Sequence, residues 1–132
     1  MSTRSRIAIQ LPTGEIQSIY CHWDWWEYTQ NILVKYWQDC EETKKLIATG
    51  EISSLGATMK KRKWNAKNPK KNNDGIYIET LFYNRKEDEK TNPITHTNEK
   101  EFIKEYKDNI YIEYAHIGTK TDTGIDWRMI TL

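Results

Sequence analysis

The sequence predicts an α+β domain built on antiparallel β-sheet, decorated by short helices, in the order β-β-α-α-β-β-α-β-β. Three observations predict it. Apolar and polar residues alternate with period two near both ends of the chain, and helical spacing occupies separate stretches between them. No alternating β-α units occur, which argues against a parallel nucleotide-binding sheet. At 132 residues the chain has the length of one ordinary domain, so 1–132 reads as a single unit.

Residues 3–11 place Ile7, Ile9 and Leu11 on one face and Arg6, Ala8 and Gln10 on the other, the pattern of a half-buried strand. Pro12-Thr13-Gly14 is a tight-turn sequence. Ile16, Ser18, Tyr20 and His22 alternate after it, so 3–23 reads as a β-hairpin. Over 26–38, Ile32, Leu33, Tyr36 and Trp37 recur at spacings of three and four, which predicts an amphipathic helix. Asp39 caps a second helix over 41–49, which Gly50 ends. Residues 51–56 read as a loop. Residues 57–64 are compatible with a strand ending at Trp64, 65–75 with an Asn-rich loop, and the β-branched and aromatic 76–83 with a strand. The charged stretch 84–93 leaves the sheet. Thr97 or Asn98 starts a short helix through Tyr106, and 110–117 and 125–132 form a hairpin around Gly118 to Gly124.

Twenty Lys and Arg against 19 Asp and Glu leave a formal charge of +1, without the footprint of a dedicated duplex-DNA binder. Only 37% of residues are hydrophobic and the mean hydropathy is -0.87, yet six Trp and eight Tyr are incompatible with a disordered segment. Few aliphatics and many rings imply a small aromatic core or burial shared between subunits, hence a homo-oligomer. Cys21 and Cys40 are too few for a disulfide scaffold and read as free thiols of a cytoplasmic protein. There is no apolar leader and no membrane-length apolar run.

Nothing matches a spaced zinc box, a Gly-rich phosphate loop or a nucleophile elbow. Cys21 and His22 are strand neighbours pointing to opposite faces, and His22, Asp24, His96 and His116 are scattered along the chain. No catalytic residue, metal or cofactor is therefore expected. The aromatic run from Tyr20 to Trp26 could stack on a base, although core or subunit packing is the commoner use of such rings. Lys60 to Lys71, with Trp64 embedded, has the look of a phosphate footprint, although a solvated lysine-rich edge is commoner. Phe82-Tyr83 with Asn84, Arg85 and Asn92-Pro93 has the parts of a purine pocket: a stacking ring, an amide to read a base edge and a cation for phosphate. The bland alternative is a core Phe and a turn-forming Asn-Pro.

The opening Met1-Ser2-Thr3-Arg4-Ser5-Arg6-Ile7-Ala8-Ile9, the segment Ile19-Tyr20-Cys21-His22-Trp23-Asp24 and the loop Ile52-Ser53-Ser54-Leu55-Gly56 resemble small phage and prophage proteins that open "MSTRS-x-I" and carry "YCHWD". The sequence thus resembles the phage Thoeris anti-defence family, first type, whose members are sponges for cyclic ADP-ribose isomers made by bacterial TIR-domain enzymes. The matching motifs cover the first 56 residues. Relatives typically continue "YCHWD" with a Gly and one aromatic, whereas Trp25 and Trp26 follow directly here. The resemblance implies a decorated antiparallel fold, a nucleotide-binding domain over 1–132, assembly as dimers or hexamers in the host bacterial cytoplasm, and ligand held at a protomer interface without turnover. It implies ligand contacts around Phe82 and Asn92. Tyr83, Arg85, Trp23 and Arg4 complete the nominated set. The alternative is a phage inhibitor that engages nucleic acid or a host protein through Lys60 to Lys71; for the sponge itself, nucleic acid is not an expected partner.

Overall fold

The computed structural model describes residues 4–24, 28–83 and 92–132. The strands are β1 (Ser5–Gln10), β2 (Ile16–Trp23), β3 (Ile52–Ser54), β4 (Leu81–Phe82), β5 (Ile94–His96), β6 (Tyr114–Lys120) and β7 (Ile125–Thr131). The helices are α1 (Tyr28–Tyr36), α2 (Cys40–Thr49) and α3 (Glu99–Tyr106). All seven strands join one mixed sheet in the order β4-β3-β2-β1-β6-β7, with β5 on β2. The α+β class therefore holds, and most pairings are antiparallel. Two are parallel, β1 with β6 and β2 with β3.

The hairpin forms where alternation placed it. Leu11 N–H donates to Glu15 O at 2.8 Å, and Gly14 turns the chain at φ 91°. Its first strand is buried on both faces, however, rather than half-buried. Ile7 and Ile9 join Ile19, Leu33, Trp37, Leu46 and Trp127 under α1 and α2, while Ala8 packs with Ile16, Ala115, Ile117, Phe102 and Tyr106 under α3. The second cluster explains a buried cation: Arg6 donates to Ser18 Oγ and O at 2.9 to 3.1 Å and lies 5.0 Å from the Tyr106 ring centroid.

Asp39 caps α2 by accepting from Glu42 N–H at 3.0 Å, and Asn98 caps α3 by accepting from Glu101 N–H at 2.9 Å. Both caps stand where the sequence puts them. Indole donors tie the layers: Trp127 Nε1 to Trp37 O at 2.9 Å, and Trp37 Nε1 to Gly56 O at 3.0 Å. A side chain at Gly56 would collide with the Glu79 carbonyl, so glycine lets the 57–80 arm lie close to the core.

Four expectations are corrected. Residues 51–56 are not all loop, because Ile52–Ser54 forms β3 parallel to β2. A parallel partner needs a long crossover, which the two helices supply, and a three-residue strand leaves no alternation to detect. Residues 57–64 and 76–83 are mostly irregular. Leu81–Phe82 alone forms strand, and isolated bridges join Lys61 to Thr80 and Lys71 to Tyr77. Residues 94–96, which the sequence reading left outside any element, form β5 and pair with Ile16–Ser18 of β2, whereas 84–91 of the charged stretch expected to leave the sheet lie outside the described residues. Finally, the last hairpin starts at Tyr114, because Asn109 draws Ile110 to Ile112 into a turn by accepting from Tyr111 and Ile112 N–H.

Candidate functional site

β3 and β5 share one edge of β2, β3 beside Cys21 and Trp23 and β5 beside Ile16 to Ser18. The alternation that buries Cys21 turns Tyr20 and His22 to the opposite face. There Tyr20 stacks on Tyr83 with centroids 6.4 Å apart at 24°, and its hydroxyl lies 2.8 Å from His22 Nδ1. His22 meets Trp23 edge-on at 5.2 Å and Tyr83 at 6.5 Å. Trp64 arrives from the basic arm, 5.7 Å from Tyr83, with its indole N–H on Phe82 O at 2.8 Å. Five rings thus gather at one end of β2.

Arg4, which lies over the Tyr111 ring at 5.6 Å, also acts electrostatically on Tyr20, His22 and Tyr83. Burial raises the Tyr20 phenol and Arg4 partly offsets it; burial also raises Tyr83, with the Ser53 hydroxyl opposing. Burial and then the Arg4 charge lower His22 from 6.5, so at neutral pH the ring is uncharged beside two protonated phenols. Stacking faces, hydroxyl donors and a cation therefore coexist at one surface.

Across Trp23 the surface continues into a groove of about 430 Å³, lined among others by Tyr28, Ser54, Arg62, Lys71 and Tyr77. The Tyr77 ring lies 4.2 Å from the Arg62 guanidinium and 4.8 Å from the Lys71 ammonium. Arg62 is held by Glu79 O, to which its Nε and Nη2 donate at 3.3 and 3.1 Å. The groove offers aromatic walls and two cations, the chemistry that grips a planar base and its phosphates.

The six nominated residues separate accordingly. Trp23 and Tyr83 both border His22, Arg4 acts electrostatically on Tyr83, and Trp23 is 42% exposed. Phe82 does not present a stacking face: it is 2% exposed within the main core, because successive residues of β4 alternate and the outward place falls to Tyr83. Asn92 is exposed ahead of β5 and makes no hydrogen bond to the described residues of the cluster. Arg85, like Trp25 and Trp26, lies outside the described residues. Arg62 and Lys71 belong to the Lys60 to Lys71 stretch read as a possible phosphate footprint, but Tyr28 and Tyr77, and their meeting with those cations, were not singled out, since it depends on how the 57–80 arm folds back.

The acids and bases that look scattered in sequence are not all apart. His116 Nε2 lies 2.5 Å from Asp24 Oδ2, and His116 Nδ1 lies 2.8 Å from Gln30 Oε1. Gln30 donates its amide N–H to Trp127 O at 2.9 Å, which leaves its oxygen facing the imidazole. Both ring nitrogens thus face oxygens, Nε2 the Asp24 carboxylate and Nδ1 the Gln30 amide. Asp24 is 1% exposed and His116 is fully buried, which makes the pair a structural tie between β2, α1 and β6. Burial alone would raise the Asp24 carboxyl, but the His116 hydrogen bond and charge prevail and hold it below its ordinary 3.8.

Folding therefore lowers this pKa, and the native state binds fewer protons than the unfolded chain near that value. The stabilisation is complete above about 4 and is lost as pH falls through the lower folded value. Denaturant melts across this acid range should show stability falling more steeply for the parent than for Asp24→Asn. Equal slopes would remove Asp24 as the cause.

Cys21, fully buried, has its thiol pushed above the physiological range by burial, so it is inert. Among the described residues no helix is long and apolar enough to cross a membrane. No protein-family model matches this sequence, nor does any curated protein or solved structure.

Proposed function

We propose that the protein binds a small nucleotide and sequesters it without degrading it. The observation that carries this reading is the convergence of Tyr20, His22, Trp23, Trp64 and Tyr83 beside Arg4, continuous with a groove in which Arg62 and Lys71 flank Tyr77. Rigid rings stack on a base at small entropic cost, and the cations neutralise phosphates. The acid-base pair Asp24 with His116 is sealed from solvent and cannot reach a ligand.

The resemblance supplies the ligand class and the setting. The ligand is a cyclic ADP-ribose isomer, the protein an anti-defence sponge of phage or prophage origin, and its place the cytoplasm of a bacterium with TIR-based Thoeris immunity. Assembly as a homo-oligomer belongs to the same proposal. It should scatter light as a dimer or larger at micromolar concentration; about 16 kDa throughout would refute it.

Incubation with lysate from cells making the signal, removal of unbound material and denaturation by heat should release a nucleotide of unchanged mass that still activates the downstream effector. A ligand of altered mass, or one inactive after heating, would identify turnover instead. Tyr83→Ala should weaken capture by about 1 to 3 kcal/mol, the worth of one stacked base, with little change in melting. Unchanged affinity would remove Tyr83 from the site.

A further inference from the structure

The arm between Lys60 and Lys71 carries seven cations and no acid. Lys60, Lys61, Lys63 and Lys70 converge on one groove of about 560 Å³, floored by Ile78, where Glu79 is the one acidic residue among those lining it. Backbone hydrogen bonds fix this frame: Thr80 N–H to Lys60 O at 2.8 Å, Arg62 N–H to Thr80 O at 2.9 Å and Ile78 N–H to Lys70 O at 3.1 Å.

Four other exposed cations meet carboxylates, whereas Lys67, Lys71, Lys100, Lys104, Lys107 and Lys120, like the groove lysines, have no ion pair among the described residues. Lys35 pairs with Asp74, Lys44 with Glu41, Lys45 with Glu42 and Arg128 with Glu99. None of the four groove lysines has an ion-pair partner among the described residues. Like charges held around one groove repel, and a polyanion laid along it relieves that repulsion while releasing its own counterions. Trp64, next in sequence to Lys63, is 39% exposed against Tyr83.

We propose that this groove is a binding surface for single-stranded nucleic acid, its lysines tracking successive phosphates while Trp64 stacks on a base. Unpaired bases are required because a duplex withholds their faces from a ring. The surface goes beyond the small-nucleotide site: the two share Trp64, but none of the four lysines lines the Trp23 groove.

The test is fluorescence anisotropy with a labelled oligothymidylate of about 15 nucleotides. With four phosphates engaged, raising salt from about 50 to 200 mM should weaken binding roughly 50-fold. The triple variant Lys60→Glu, Lys63→Glu, Lys70→Glu should bind at least about tenfold more weakly, and the milder Lys→Gln triple should fall between it and the parent. Both should melt like the parent and capture small nucleotide normally. Four results would overturn the proposal: no binding at the lower salt, undiminished binding by the Glu variant, equal affinity for a duplex, or equally effective competition by polyglutamate. Small-nucleotide capture measured in parallel keeps failure of this surface distinct from failure of the sponge reading.

Discussion

Replacing Asp24 with alanine should cost about 3 to 5 kcal/mol of folding stability, the usual consequence of removing one partner from a buried, hydrogen-bonded pair. His116 would be left fully buried with Nε2 facing no acceptor, while Nδ1 stays bound to Gln30. Asp24 Oδ1 also accepts from Thr29 N–H at 3.3 Å, so the first turn of α1 loses an acceptor in the same variant. Asp24→Asn keeps the shape and part of the hydrogen bonding, and should lose less. Urea unfolding at neutral pH measures both, and a loss below about 1 kcal/mol for Asp24→Ala would show that the pair does not anchor the fold.

Phe82→Ala should cost about 3 to 5 kcal/mol as well, because the ring is almost fully enclosed in the main core and its removal leaves a cavity. Phe82→Leu should cost less, since much of that volume is kept. The decisive comparison is between melting and capture. A melt lowered in proportion to the cavity, with capture retained by the folded fraction, fits a core ring. An unchanged melt with capture abolished would make Phe82 a ligand-stacking residue and would require the end of β4 to turn over.

The N-terminal hairpin, both helix caps and the approximate helix spans were legible in the sequence because each rests on interactions a few residues long. Alternation through Ile7 and Ile9 commits that face of β1 to a core, and Asp39 and Asn98 reach N–H groups three residues ahead. The supply of rings in the run from Tyr20 to Trp26 and in Phe82-Tyr83 was legible as composition, but their gathering beside Arg4 was not.

Long-range pairing was not legible. No residue of β1 encodes that β6, more than a hundred positions later, lies parallel to it with Ile7 opposite His116. That one pairing makes β1 an interior strand of the sheet and brings His116 to Asp24. It turns two apparently scattered titratable groups into a structural tie. Likewise Phe82 and Tyr83 read as equivalent stacking rings. Only the register of β4 against β3 decides that the first fills the core and the second joins the surface cluster. The sequence by itself thus determined the α+β class, the local elements and the supply of rings and cations. The tertiary structure alone decided which of them face each other, because strand pairing and burial depend on contacts between distant segments, whereas caps, turns and periodicity depend on neighbours.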